Sequence, residues 1–145
     1  KGVRQVLDPL LASGVLSEVL LEPGRFLVAR FGALYTQVQY IKRTPWKKFV
    51  IVDTGMHHLM RPSLYQAYHR VDALADEGET ENCDIVGPIC ESSDVIGFDR
   101  SLPKNIKEGD WLVIHEAGAY GQVMSNSYNM HPPAGELCFR EGELV

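Results

Sequence analysis

Residues 87–94, GPICESSD, set a thiol and a carboxylate side by side, with Gly-Pro in front and Ser-Ser-Asp behind. Neither Cys90 nor Glu91 falls in a strand or helix period, which places the pair in a loop. A thiol of near-neutral effective pKa can act as a general acid and hand a proton to a carbanion. An ionised carboxylate beside it is acceptor-only, so Glu91 suits an ammonium group. Residue types alone favour a plainer picture, a small buried cysteine next to a solvated glutamate. The choice depends on what the rest of the chain brings to the same place.

Three further stretches carry groups able to bind anions. In EPGR (residues 22–25), Gly24 permits close approach of a backbone to a phosphate, and Arg25 offers a planar donor fork. By itself so short a stretch reads better as a plain Pro-Gly turn with a surface arginine. Arg61 and Tyr65 stand four residues apart, on one face of a helical turn, where a fork and a phenol can grip one carboxylate together. An arginine packed over a tyrosine ring is the everyday alternative. Tyr120 lies in GAYG, whose small neighbours leave room for a ligand; a core tyrosine with a locally satisfied hydroxyl would look the same.

Other candidates carry less. His57 and His58 are adjacent, so their side chains diverge, and no carboxylate stands at ligand spacing; no metal is expected. The three cysteines, Cys83, Cys90 and Cys138, form an odd set without CxxC spacing, against a disulfide framework or zinc site. Cys83 and Cys138 read as packing residues. A reducing cytosol fits best.

The elements that must position these groups are short. With 145 residues, 45% of them hydrophobic and 23% charged, the chain has about one domain's worth of globular sequence. A net charge of -5 and the absence of a basic stripe argue against nucleic acid, and KRTPWKK (residues 42–48) reads as a solvated turn. No apolar run approaches the roughly 20 residues needed to span a bilayer. Val6, Leu7, Leu10 and Leu11 suggest a helix stopped by Gly14, and VLL (residues 19–21) a short buried parallel strand. FLVARFGAL reads as a short helix or turn. From Ala33 onward, alternating segments and turn signals predict about seven short strands: residues 33–42, 47–55, 68–74, 83–88, 94–100 and 111–118, then a hairpin around Glu141-Gly142. Pro62 opens a one-turn helix, and ADEGETEN (residues 75–82) is an acidic loop. The expectation is a mainly β chain, a barrel or sandwich over residues 33–145, preceded by an α/β unit (residues 1–32) that does not belong to that pattern.

EPGR, GMHHLMRPSLYQAYH (residues 55–69), VGPICESSDVIGFDRSLP (residues 86–103) and AGAYGQVMSNSYN (residues 117–129) together resemble the C-terminal third of the diaminopimelate decarboxylase family, in the family's order. These are pyridoxal-phosphate enzymes of the alanine-racemase-like fold type. The resemblance implies that residues 1–32 are the last unit of an otherwise missing (β/α)8 barrel, and that the intact protein converts meso-diaminopimelate to L-lysine and CO2. It implies a homodimer with shared active sites, Cys90 as proton donor, and Arg25, Arg61, Tyr65 and Glu91 as substrate-binding residues. Glu22, Gly24, Arg25 and Tyr120 would hold pyridoxal 5'-phosphate, while Ser125, Asn126, Tyr128 and Asn129 would be structural supports. The lysine that forms the cofactor imine has no counterpart here, so the chain alone should be inactive and free of cofactor. Histidine at 57 and 58 departs from the family's pattern. Decarboxylation of another basic or dicarboxylic amino acid, or a non-catalytic β-domain serving in assembly, remain the alternatives.

Overall fold

A computed structural model describes residues 2–74 and 78–145; part of the acidic loop expected at 75–82 lies outside them. Among the described residues eight strands form: β1 (Leu34–Arg43), β2 (Lys48–Val52), β3 (Val71–Ala73), β4 (Thr80–Val86), β5 (Val95–Pro103), β6 (Trp111–Ile114), β7 (Phe139–Arg140) and β8 (Glu143–Leu144). The first six make one sheet in the order β3-β6-β1-β2-β4-β5, and β7 pairs with β8 as the expected terminal hairpin. The sheet curls until its edge strands β3 and β5 approach each other, which gives a nearly closed barrel. Alternation explains the filling. β2 buries Lys48, Val50 and Val52 and leaves Phe49 and Ile51 half-exposed. Val38, Ile85, Ile96, Leu102, Leu112 and Ile114 complete the interior.

Strand direction decides what the sheet presents. β2 and β4 run parallel, and β1 is antiparallel to both β2 and β6, so β2, β4 and β6 all point the same way. The segments that follow these three strands therefore emerge at one end of the barrel, and the segment entering β1 arrives there too. The β1–β2 turn, containing Trp46, lies at the other end. There KRTPWKK is only partly the solvated turn expected, because Lys48 turns inward and its ammonium meets Glu81 at 2.8 Å.

The N-terminal segment follows the reading in part. α1 (Gly2–Ala12) ends at Gly14, whose φ of 73° reverses the chain. The strand expected at residues 19–21 does not form. A parallel strand needs a neighbour, and the sheet edges β3 and β5 pair with other strands only; Leu20 and Leu21 stay exposed. α2 (Gly24–Val28) and a 3-10 turn (Ala29–Phe31) follow, in line with the helix or turn expected there. α3 (Arg61–Tyr65) is the one-turn helix opened by Pro62. Among the described residues, no helix is long and apolar enough to cross a membrane.

Candidate active-site surface

Four segments meet at the loaded end of the barrel: α2 with its 3-10 turn before β1, α3 after β2, residues 87–94 after β4, and residues 115–121 after β6. The first and last are welded backbone to backbone. The Ala117 amide donates to the Gly32 carbonyl at 2.9 Å, and the Gly118 amide to that of Ala29 at 3.0 Å. A Cβ on Gly118 would sit 2.3 Å from the Val28 carbonyl oxygen, so only glycine allows this approach. The contact sets α2 beside Tyr120, whose own φ of 57° is left-handed and costs a non-glycine residue roughly 1 kcal/mol. Together they enclose an open groove of about 1030 Å³, lined by Glu22, Gly24, Arg25, Phe26, Arg30 and Tyr120 among others.

A smaller groove of about 310 Å³ adjoins through Tyr120 and is lined by Arg61, Tyr65, Tyr120 and Met124. The left-handed residue Gln66 (φ 52°) ends α3, its amide donating to the Arg61 carbonyl. One turn suffices to place Tyr65 beside Arg61, as the spacing predicted. The guanidinium lies 5.4 Å from the Tyr65 ring centroid and 5.5 Å from that of Tyr120. The stacking alternative is thus realised, but against two phenols from different segments. Both rings stay exposed, Tyr120 by 48%.

Among the described residues, no carboxylate pairs with Arg25, Arg30 or Arg61, and the Tyr120 hydroxyl has no hydrogen-bond partner. Unpaired guanidinium forks and a phenol in a roomy groove are the donors that a phosphate ester and a carboxylate require. The residues present therefore fit pyridoxal phosphate at the larger groove. Glu22 and Glu116 are the acids on its wall. Arg30, Glu116 and Met124 were not anticipated; the left-handed φ of Glu116 (59°) and the placing of Arg30 one turn beyond Arg25 come from the fold rather than from sequence motifs.

Cys90 and Glu91 line neither groove. Cys90 is exposed, against the buried cysteine that residue types favoured. Glu91 accepts from the Ser92 amide at 2.9 Å and from its hydroxyl at 3.3 Å. The loop is nonetheless tied to α3, since the Ser63 hydroxyl donates to the Ser93 carbonyl at 2.6 Å. Cys83 is buried, and burial pushes its thiol up to about 11, but Cys138 is exposed on the terminal extension rather than packed. His57 is fully buried with neither ring nitrogen bonded, 3.8 Å from the His58 ring and 4.8 Å from that of His131. Burial, then the two neighbouring imidazoles, lowers its pKa to about 4. Among the described residues, no group of three or more His, Cys, Asp or Glu side chains is arranged to hold a metal ion. The Asn126 backbone amide donates to the His57 carbonyl at 2.8 Å, and its side-chain oxygen accepts from the Tyr128 amide at 3.0 Å.

Residues 15–118 match the family described as pyridoxal-dependent decarboxylase, C-terminal sheet domain. The chain belongs to that family. Over 135 residues it is 42% identical to a diaminopimelate decarboxylase of Aquifex aeolicus, covering 92% of this chain and 32% of that protein. A crystal structure of AQ1208 from Aquifex aeolicus superimposes with a TM-score of 0.84 at 40% identity, over 99% of this chain and 36% of that one. The diaminopimelate decarboxylase of Helicobacter pylori, solved in complex with L-lysine, gives 0.78 at 44% identity, over 86% of this chain and 30% of that one. The chain spans about a third of the length of the decarboxylases it matches. The sheet domain is therefore that of the pyridoxal-dependent decarboxylase family, as the resemblance implied.

Proposed function

We propose that the chain is the C-terminal part of a pyridoxal-phosphate-dependent carboxy-lyase that converts meso-diaminopimelate to L-lysine and CO2. The observation that carries this reading is the unpaired Arg61 guanidinium, set between Tyr65 and Tyr120 beside the Arg25 groove. A substrate ending in a lone amine would need an acid there; a guanidinium calls for a distal carboxylate. Diaminopimelate carries that carboxylate next to an ammonium, which Glu91 suits. When bound, the cofactor supplies the electron sink that lets the carboxyl group leave. Gly24 and Tyr120 would hold its phosphate, with Glu22 on the same wall, and Arg25 beside them would reach the substrate carboxylate. Arg61 and Tyr65 would orient the substrate's far end, and the Cys90 thiol would deliver the proton.

Because Cys90 and Glu91 stand apart from the chain's own grooves while sharing their end of the barrel, they are better placed to complete a neighbour's site, in a cytosolic homodimer. Residues 1–32 would close the catalytic barrel and residues 33–145 would form the sheet domain. Exposed Leu20, Leu21, Phe26 and Leu27 are consistent with a surface that the remaining two thirds of such an enzyme would cover. The test is Arg61→Ala in the intact protein. Losing a charge-assisted pair should raise KM for diaminopimelate by about tenfold to a hundredfold with the cofactor absorbance unchanged. An intact enzyme that prefers ornithine or arginine to diaminopimelate would end the substrate assignment.

A further inference from the structure

Asp94, the last residue of the Cys90 loop, had no role assigned from its sequence context. Asp94 is 3% exposed, and its carboxylate grips two separate segments. One oxygen accepts the Met56 amide at 2.6 Å and the other the Ile89 amide at 2.7 Å. The Asp94 backbone closes its own loop as well: its amide donates to the Glu91 carbonyl at 3.0 Å, and its carbonyl accepts from Gly87 at 3.0 Å. Two glycines clear the space. A Cβ on Gly55 would lie 2.5 Å from one carboxylate oxygen, and one on Gly87 would lie 2.3 Å from the other.

We propose that Asp94 is a positioning residue, whose buried carboxylate fixes the Cys90–Glu91 turn relative to the segment that leads into Arg61. Ile89 immediately precedes the thiol, and Met56 stands five residues before the guanidinium. The Ser63 to Ser93 hydrogen bond adds a second tie between the same two segments. One side chain thereby sets two groups that act on opposite ends of a substrate, or on substrates in adjoining sites. Burial raises the pKa of Asp94 more than its two amide hydrogen bonds and the imidazoles of His131 and His58 lower it. The ionised form is therefore disfavoured in the fold relative to the unfolded chain.

This inference rests on the reading of Cys90 as proton donor, and the experiment separates the two. In the intact, cofactor-loaded protein, Asp94→Asn keeps the shape but replaces one acceptor by a donor facing an amide. Gly87→Ala keeps the charge but crowds the carboxylate off Ile89. Peptide-resolved hydrogen exchange over residues 54–58 and 87–94 should quicken by about tenfold or more in both variants. At full cofactor occupancy kcat should fall about tenfold or more, with KM for diaminopimelate shifting far less. Unchanged exchange in both variants overturns the lock. Quickened exchange with parental kcat, in an enzyme that Cys90→Ala cripples, overturns the positioning role. Full activity of Cys90→Ala would instead remove the proton-donor reading, and a positioning role at that thiol with it.

Discussion

His57 provides the sharpest quantitative test of how the Arg61 segment is held. Its ring is fully buried, both nitrogens lack partners, and its pKa is lowered to about 4 from an ordinary value near 6.5. The folded protein thus takes up this proton later than the unfolded chain does. The neutral ring's contribution is complete above the ordinary histidine pKa and is lost as pH falls toward 4. At pH 5 the unfolded ring is almost fully protonated and the folded one only about a tenth protonated, so moving from pH 8 to pH 5 removes about 2 kcal/mol. His57→Leu fills the site without a titrating group and should abolish that part of the pH dependence. Asp94 acts in the opposite sense: its raised pKa favours the acid side, but parent and variant share it, so it cancels in the difference. The assay is chemical denaturation of the intact protein at both pH values and fixed protein concentration. If parent and His57→Leu lose stability equally between pH 8 and pH 5, the buried neutral imidazole is not what the geometry says.

Gly118→Ala would drive a methyl into the Val28 carbonyl oxygen and the Gly32 nitrogen, so it should cost about 2 kcal/mol or more and weaken cofactor binding, read by melting and by cofactor titration. Arg61→Lys keeps the charge and loses the fork, so KM for diaminopimelate should rise about tenfold with little change in kcat. Glu81 is held at about 2 by hydrogen bonds from Arg43 and then Lys48, so its contribution is present above the ordinary carboxylate range and lost as pH falls toward 2. Glu81→Gln would strip the counter-ion from the Lys48 ammonium, whose side chain is 2% exposed, and should cost about 3 kcal/mol in denaturation while leaving kcat intact.

What the sequence disclosed followed from local rules. The apolar run in KFVIV closed by Thr-Gly, proline at the start of RPSLY, and glycine after Glu141 each act within a few residues, and β2, α3 and the β7–β8 hairpin formed where they pointed. Helical spacing set Arg61 beside Tyr65, whereas a shared place for Arg25 and Tyr120, ninety-five residues apart, was implied only by the resemblance. Partners distant in sequence were not legible. VLL has strand composition but no neighbour to pair with, so it remains unpaired. Lys48 reads as a surface lysine until Glu81, thirty-three residues later, arrives beside it. Asp94 showed no sign of its role, since one of its two amide donors is thirty-eight residues away; the nearest local trace was Gly87, seven residues before it.

The two ends of the barrel treat charge differently, and that contrast bears on what the sheet is for. Around the β1–β2 turn, Arg43, Lys47, Lys48 and Lys104 each lie within ion-pair distance of Glu81, Asp84 or Glu79. At the loaded end Arg70 has Asp72, yet Arg25, Arg30 and Arg61 have no carboxylate partner among the described residues. A chain with an excess of five negative charges had acids available for those three guanidiniums. Stability alone gives no reason to leave forks open in two adjoining grooves, because an exposed pair is worth little but costs little to form. An incoming phosphate or carboxylate does give a reason, since a pre-existing internal partner would have to be displaced before the ligand could bind. Placing an aspartate or glutamate within reach of Arg61, for example by Met124→Glu, should therefore close the smaller groove electrostatically. KM for diaminopimelate should rise by about tenfold while the larger groove keeps its cofactor, and an unaltered KM would show that Arg61 does not face the substrate.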